Sequence, residues 1–299
     1  MSNIPSLVKI IRPQQWYKNV LVFVPLVFSL NLFQPDLIIL SFLGFVALCL
    51  ASGGSYVIND VFDYKKDLLH PKKRNRPIPS GRLSVKSASI YGIVLLIVGS
   101  ILAFSLNEIF FIVVILLILS TFFYSKVAKD IFLLDVFLIA INFVLRAIAG
   151  VFLIGVDLSP WLVIGIFFVA LLLGFTKRQN ELNLLKEQAA KHKKVLEHYT
   201  EKFLRYAIGQ SSAASILAYS IYSINGPGII GDWRLVLTIP VVFFILVSYV
   251  NNIINVKYPD KELEAQMISD KKISVSLLVY VIMVVILIYF VPSSLFTKI

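Results

Sequence analysis

Long apolar runs alternate with short polar connections along almost the whole chain. Each run predicts a membrane-spanning helix, because about 20 apolar residues cross the hydrocarbon core of a bilayer. About nine such helices are predicted, and several are shorter than this length, which predicts tilted or re-entrant ends. They cover roughly residues 20–33, 37–58, 86–106, 109–125, 131–155, 160–177, 203–223, 234–254 and 273–291.

Lysine and arginine are concentrated in every second connection. The connections near Asn31, Asn107, Asp157 and Asn225 have almost none. The other four are basic: Lys65 to Arg82, Lys126 with Lys129, Lys177 to Lys202, and Lys257 to Lys272. Because basic connections stay in the cytoplasm, the pattern places the N-terminus and these connections there, in the cell (inner) membrane, and the C-terminus outside.

The composition agrees with an all-α polytopic membrane protein with a single domain over residues 1–299. Hydrophobic residues make up 58% and charged residues only 15%, whereas about a quarter of the residues in a soluble domain are charged. The net charge of +11 is expected in cytoplasmic loops and beside anionic substrates, not on a nucleic-acid surface. Cys49 is the single cysteine, so no internal disulfide is possible.

The most polar long segment runs from Asn59 to Ser84 and begins with acids. Asn59, Asp63 and Asp67 are spaced i, i+4 and i+8 and share a helix face, with Asp60 beside them. Carboxylates at a helix C-terminus oppose its dipole, at about 0.3–1 kcal/mol each. An ordinary polar helix end is one interpretation. We favour Mg²⁺ held by Asp60, Asp63 and Asp67 with substrate phosphates, and Asn59 as polar support.

Cations follow these acids and predict phosphate binding. The nearest are Lys72, Lys73, Arg74 and Arg76. Other polar groups at the predicted cytoplasmic ends of helices are Tyr124, Lys129, Lys177, Arg178 and Glu181. Lys177 and Arg178 alone are weak evidence, because cations commonly cap a helix C-terminus.

Two further groups of polar residues are candidates, the first for a second metal or phosphate contact and the second for substrate contact. Asp135, Asn142 and Arg146 return to one face of the fifth predicted helix, and ionisable groups inside a membrane helix usually face a cavity or a partner. A structural Asp–Arg interaction between helices is the alternative. Before the first predicted helix, Arg12, Lys18 and Asn19 could contact a substrate at the mouth of the site.

These residues resemble the UbiA-type membrane prenyltransferase superfamily. The resemblance consists of Asn59-Asp60-x-x-Asp63-x-x-x-Asp67 with the Pro- and Arg-rich segment behind it, within about nine helices. The superfamily's second motif is usually D-x-x-x-D, whereas Asp130 and Asp135 are five residues apart here.

A narrower resemblance is to decaprenyl-phosphate phosphoribosyltransferases, which begin decaprenylphosphoryl-arabinose synthesis. The matching segments are 11–22, 59–61, 70–78, 145–150, Lys177-Arg178 with Glu181, Tyr199-Thr200 and Leu204-Arg205. This resemblance implies phosphoribosyl diphosphate as donor, a polyprenyl phosphate as acceptor, Mg²⁺ as cofactor and a homo-oligomer, a trimer in that family. Enzymes of that family retain only one acid of the second motif, and it matches Asp135. The resemblance therefore implies Asp60, Asp63, Asp67 and Asp135 as catalytic residues.

The expected reaction is Mg²⁺-dependent transfer of a 5-phosphoribosyl group to a polyprenyl phosphate with release of diphosphate. In that reaction Arg146 or Lys18 would hold the acceptor phosphate. One alternative is transfer of a prenyl group from a prenyl diphosphate to an aromatic or other acceptor. The other is a non-catalytic lipid transporter, which would favour polar residues at the membrane midplane, whereas here they gather at one face.

Overall fold

Every regular element that the structure describes is a helix. The computed structural model describes residues 6–69, 73–157, 159–185, 194–225, 233–255 and 270–296. The α-helices in these ranges are α1 Ser6–Ile10, α2 Val24–Phe28, α3 Pro35–Leu68, α4 Val85–Leu106, α5 Glu108–Lys126, α6 Leu134–Ile154, α7 Pro160–Leu185, α8 Glu201–Asn225, α9 Ile239–Ile254 and α10 Lys271–Tyr289. Short 3₁₀ segments are Pro13–Phe23, Lys73–Asn75, Ala128–Asp130, Lys194–His198, Arg234–Thr238 and Ser293–Leu295.

Among the described residues, seven helical segments are long and apolar enough to cross a membrane, so the protein is an integral membrane protein. They are α3 to α7, α9 with the 3₁₀ turn before it, and α10. The 25 residues of α8 are also long enough. Its serines and other polar residues make it less apolar than these seven segments, so it does not belong to this set. The predicted number of nine is therefore not confirmed, although an all-α membrane fold is.

The prediction of one continuous α-helix over residues 20–33 is wrong. The 3₁₀ segment Pro13–Phe23 and the five-residue α2 take its place. Prolines explain the break, because Pro25 has no backbone N–H to continue a helical ladder and Pro35 starts a new helix. The segment nevertheless runs antiparallel along α3. Arg12 lies at Asp60, whereas Asn19 lies at Cys49.

Two other helices extend beyond their predicted ends. The predicted 37–58 is α3, which continues to Leu68 and carries all the acids of the polar segment on one helix. The predicted 160–177 is α7, which continues to Leu185. Lys177 and Arg178 therefore lie within a helix, and the interpretation of these two cations as C-terminal caps is wrong.

The chain forms two compact units, each described here by itself. The first unit comprises Met1–Lys126 and Leu145–Val156, and the second comprises Val127–Val144 and Asp157–Ile299. The boundary falls inside α6, which contributes its first half to the second unit and its second half to the first. A single domain over the whole chain stays a prediction.

In the first unit, small residues allow helix backbones to approach closely. A Cβ added at Gly54 would lie 2.9 Å from the carbonyl oxygen of Gly92. One added at Gly150 would lie 2.3 Å from the carbonyl oxygen of Val22. Membrane helices associate through such small-residue contacts. These contacts hold α4 against α3 and the N-terminal 3₁₀ segment against α6.

In the second unit, α7 packs along α8, and α9 contacts both α8 and α10. The buried core includes Val136, Phe175, Leu204 and Tyr249. Arg234, in the turn before α9, donates to the carbonyl oxygens of Leu287, Ile288 and Val291 and so caps the end of α10.

Candidate functional site

The acids of the polar segment, Asp60, Asp63 and Asp67, lie beyond the length of helix that a bilayer core needs. Residue 60 is about 37 Å along the axis from Pro35, whereas the hydrocarbon core is about 30 Å thick. Lys65 and Lys66 lie in the last turn of α3. Cations at this position stabilise a helix through its dipole. The carboxylates are thereby displayed at one end of the helix, as the sequence predicted.

Two of these carboxylates converge on one arginine. The Nη1 atom of Arg76 donates to Asp60 Oδ1 at 3.0 Å and to Asp67 Oδ2 at 2.7 Å. Asp60 also accepts from Arg12 Nη2 at 2.5 Å, and Lys73 Nζ lies 3.9 Å from Asp67 Oδ1. Both acids are buried. We call Asp60, Asp67, Arg12 and Arg76 the first acid–arginine cluster.

This arrangement differs in detail from the predicted stripe of Asn59, Asp63 and Asp67. Asp60 and Asp67, seven residues and about two turns apart, face the same arginine, whereas Asn59 and Asp63 are half-buried on the same helix. Among the residues described, no three Asp, Glu, His or Cys side chains are grouped closely enough to hold a metal ion by themselves. Two converging carboxylates still suit Mg²⁺, which typically takes one or two carboxylates and completes its shell with phosphate and water.

The connection after α3 is folded so that Arg76 points back toward that helix. Behind Arg76, Ile78 packs into a small core with Ile10, Val57 and Ala88. Arg82 donates to the carbonyl oxygen of Asn75 and, at 2.9 Å, to Ser80 Oγ. Ser84 then caps α4 by accepting from the backbone N–H of Ser87. Arg74 is exposed, and Lys72 lies outside the described residues.

Arg12 belongs to the cluster through a contact that the sequence did not reveal. It is 48 positions from Asp60, and its guanidinium also lies over the ring of Tyr56, 5.3 Å from the centroid. Its backbone is left-handed, with φ 52° and ψ 64°. From the sequence, Arg12 was only one of several polar residues before the first apolar run that could contact a substrate.

A second polar group in the first unit surrounds Arg146, which is buried. Its Nε atom donates to Asn19 Oδ1 at 2.8 Å. Asn19 Nδ2 in turn donates to Cys49 Sγ at 3.3 Å, and Ser52 Oγ donates to Asn19 Oδ1 at 3.4 Å. Of the other predicted contacts in this unit, Lys18 lies over the ring of Tyr17 and Tyr124 is half-buried.

The second unit has an acid–arginine cluster of its own, formed by Asp135, Arg178, Glu181 and Tyr199. Arg178 Nε donates to Asp135 Oδ2 at 2.6 Å, and Tyr199 Oη donates to Asp135 Oδ1 at 2.6 Å. Arg178 Nη1 donates to Glu181 Oε2 at 2.5 Å. Tyr199 Oη also accepts from the backbone N–H of Leu133 at 3.2 Å. We call these four residues the second acid–arginine cluster.

Asp135 and Arg178 of this cluster are fully buried. Burial and the hydrogen bond to Asp135 raise the pKa of Tyr199 far above its ordinary value, because both disfavour the phenolate. The predicted alternative of an Asp–Arg interaction between helices is observed for Asp135, but its partner is Arg178 on α7 and not Arg146. Asp130 is exposed and Asp135 is buried, so these two acids do not form a joint motif.

Of the remaining residues predicted for this region, Lys177 is exposed and Lys129 is half-buried. Tyr199 was not among the predicted site residues. Its position in a short polar segment before α8 gave no signal of a contact 64 residues away. The sequence analysis thus named Asp60, Asp67, Arg76, Asp135, Arg178 and Glu181 as site residues. It named Arg12 only as a possible substrate contact and did not name Tyr199 as a site residue.

Comparison with known proteins agrees with this architecture. Residues 20–269 match the UbiA prenyltransferase family. A decaprenyl-phosphate phosphoribosyltransferase of Mycobacterium tuberculosis is 32% identical over 247 residues, which cover 81% of this chain and 82% of the relative. The enzyme of the same name from Mycolicibacterium smegmatis is 31% identical over 226 residues, 74% of this chain and 71% of that one.

Solved structures show the same fold. A UbiA homologue from Archaeoglobus fulgidus bound to DMAPP and Mg²⁺ superposes with a TM-score of 0.71 and 19% identity, covering 96% of this chain and 100% of the homologue. Together with the family match over most of the chain, this similarity identifies the protein as a membrane-embedded transferase that belongs to the UbiA prenyltransferase family.

Proposed function

We propose that this enzyme transfers a 5-phosphoribosyl group from phosphoribosyl diphosphate to a polyprenyl phosphate of the decaprenyl type and releases diphosphate. The observation that carries the proposal is the convergence of the buried Asp60 and Asp67 on Arg76, at the end of a membrane helix and beside a cation-rich connection. The similarity to decaprenyl-phosphate phosphoribosyltransferases over four fifths of the chain supports the choice of donor and acceptor.

Asp60 and Asp67, with Asp63, are the residues that would hold Mg²⁺. The cation supplies charge neutralisation for the diphosphate as it leaves the ribose. Arg76 and Lys73 are close enough to these acids to bind phosphate oxygens of the same donor, and Lys72 and Arg74 on the same connection add positive charge. Asn59 gives polar support. These cations stabilise the negative charge that develops on the leaving group.

The acceptor needs little activation. A phosphate monoester already has an ionised oxygen near neutral pH, because its second pKa is about 6. That oxygen forms a bond to the anomeric carbon of the ribose, and the bond from this carbon to the diphosphate oxygen breaks. No general base is required. Arg146, buried and oriented by Asn19, and Lys18 are the residues proposed to hold the acceptor phosphate.

The second acid–arginine cluster supports a different role for Asp135 from that of the α3 acids. Both oxygens of Asp135 accept hydrogen bonds from buried protein groups. Asp135 therefore orients Arg178 and Tyr199 in this proposal, in place of a direct metal contact. Contacts of Lys129, Lys177, Arg178, Glu181 and Tyr124 with substrate stay predictions, as does a homo-oligomer.

For the membrane orientation, we propose that the first acid–arginine cluster faces the cytoplasm of the cell (inner) membrane. Arg12 bonds to Asp60, so this N-terminal residue lies at the same end of α3 as the basic connection. Basic connections are retained on the cytoplasmic side. The C-terminus would then lie outside, as the alternation of charges predicts.

A two-donor assay with Asp67→Asn tests the function. Purified protein with Mg²⁺, decaprenyl phosphate and an aromatic acceptor receives phosphoribosyl diphosphate or geranylgeranyl diphosphate, and the lipid product is identified by mass. We expect a phosphoribosyl lipid from the wild type and a loss of about a hundredfold or more in Asp67→Asn, because a charge-stabilising group is removed. Asp36→Asn is the matched control, since Asp36 is exposed at the opposite end of α3.

The same assay contains the results that would contradict the proposal. Consumption of the prenyl diphosphate alone, with an aromatic or other acceptor, would identify prenyl transfer, which the homologue bound to DMAPP makes the second candidate. Absence of diphosphate release with either donor would favour the lipid transporter. Equal turnover by Asp67→Asn and Asp36→Asn would remove the metal assignment.

A further inference from the structure

The acids of the first acid–arginine cluster are held by arginines from outside their own helix. Arg12 comes from the N-terminal segment, and Arg76 comes from the connection after α3. Asp60 accepts from both arginines, and Asp67 accepts from Arg76. These guanidinium groups engage carboxylate oxygens that a divalent cation would also use, so the arginines and a metal compete for the same ligands.

The two kinds of residue differ in their exposure to solvent. The side chains of Arg12 and Arg76 are 27% and 31% exposed, whereas those of Asp60 and Asp67 are 5% and 4% exposed. A partly exposed arginine can turn away through rotations of its own side chain. A buried carboxylate on a helix cannot leave without displacing its neighbours. In an exchange of partners, therefore, the arginines are the groups that move.

The backbone of Arg12 is an independent sign that this contact is built into the fold. A left-handed conformation is strained for a residue that has a Cβ. Such conformations persist where the surrounding structure holds them, and they are frequent at functional sites. Here the following 3₁₀ segment is fixed by the buried Asn19 and Val22, while the guanidinium reaches Asp60 and Tyr56.

We propose that Arg12 and Arg76 act as a latch on the carboxylates of Asp60 and Asp67, and this proposal rests on the proposed function. Without substrate, the latch keeps a free divalent cation from binding tightly. A diphosphate that arrives with the cation offers both guanidiniums new anionic acceptors, to which arginine binds well. The cation and the diphosphate therefore bind cooperatively, and each strengthens the binding of the other by the same factor.

The test measures metal binding and needs no turnover. The full chain in detergent is titrated with Mn²⁺, with and without inorganic diphosphate, and the EPR signal of the free ion reports the bound fraction. A blank titration with the same diphosphate but no protein corrects for the complex that Mn²⁺ and diphosphate form in solution. We expect weak binding of Mn²⁺ alone by the wild type and stronger binding once diphosphate is present.

The decisive variants are Arg12→Gln and Arg76→Gln. Each should bind Mn²⁺ alone about tenfold more tightly, the ratio that corresponds to one competing charge-assisted hydrogen bond. In each variant, diphosphate should also increase the affinity for Mn²⁺ by a smaller factor than in the wild type. Lys9→Gln removes the same charge from an exposed position three residues before Arg12 and should match the wild type. Unchanged or weaker binding in both arginine variants would overturn the latch.

Two further variants separate possible failures. Arg12→Lys keeps the charge but not the planar fork of the guanidinium, so it should bind Mn²⁺ alone with an affinity between those of the wild type and Arg12→Gln. It replaces Arg12→Gln if that variant does not fold. The double variant Asp60→Asn with Asp67→Asn should lose Mn²⁺ binding. If it binds as well as the wild type, the metal site of the proposed function is wrong; if it loses binding but the arginine variants do not gain, only the latch is wrong.

Discussion

The two acid–arginine clusters use the same chemistry in different solvent environments. In the first, partly exposed arginines reach Asp60 and Asp67 from the N-terminal segment and from the connection after α3. In the second, Asp135 and Arg178 are both completely buried, and each is carried by a helix. A partly exposed ion pair can exchange partners at low cost, whereas breaking a buried pair leaves an uncompensated charge in the protein. The first cluster therefore suits ligand binding, and the second suits a permanent structural role.

Arg178→Ala should have the largest effect on stability. It leaves the carboxylate of Asp135 buried without its cation, which costs about 3–5 kcal/mol. Thermal unfolding of the purified protein in detergent measures this loss. The control is Arg205→Ala, because the Arg205–Glu201 pair, 3.7 Å apart, is 58% and 65% exposed and contributes little. Equal unfolding temperatures for the two variants would contradict a permanent structural role for the second cluster.

Tyr199→Phe should have a smaller effect in the same cluster. It removes the hydroxyl that donates to Asp135 at 2.6 Å, and a hydrogen bond to a charged group contributes about 1.5–3 kcal/mol. Tyr206→Phe, at an exposed position on α8, should unfold like the wild type. A similar loss in both variants would point to a general effect of phenylalanine substitution.

The difference between wild type and Tyr199→Phe should also depend on pH. The pKa of Tyr199 is raised in the folded protein, so the folded state keeps this proton when the unfolded chain loses it. The contribution is fully present below the unfolded pKa of about 10 and decreases as the pH rises above that value. Unfolding is measured between about pH 8 and pH 11. The difference in stability between the wild type and Tyr199→Phe should decrease over this range, and a constant difference would contradict the raised pKa of Tyr199.

Gly150→Ala tests the support of the first cluster. An added Cβ would lie 2.3 Å from the carbonyl oxygen of Val22, in the 3₁₀ segment that follows Arg12. Because a backbone atom cannot yield easily, we expect a loss of about 1–3 kcal/mol in thermal unfolding. Gly209→Ala on α8 meets no atom within 4 Å and should stabilise the protein by about 0.5–1 kcal/mol. If both substitutions stabilise it, the close packing of the N-terminal segment is wrong.

Much of this protein follows from its sequence because the relevant signals are local. The apolar run that predicts a membrane helix lies within that helix. The bounds of α4, α5 and α10 were therefore predicted to within a few residues. The acids near the end of α3 and the cations behind them are likewise contiguous. A membrane adds a strict constraint, since a segment that crosses it must satisfy its own backbone hydrogen bonds.

The tertiary structure decided what no local pattern specifies. Packing of Val22 against Gly150 and of Asn19 against Cys49 of α3 holds the 3₁₀ segment Pro13–Phe23, whose last residues, 20–23, were predicted as α-helix. The contacts of Arg12 with Asp60 and of Tyr199 with Asp135 join residues 48 and 64 positions apart. Such partners are chosen by the packing of whole helices and by the cost of leaving a buried charge unpaired, and both act between segments far apart in the chain.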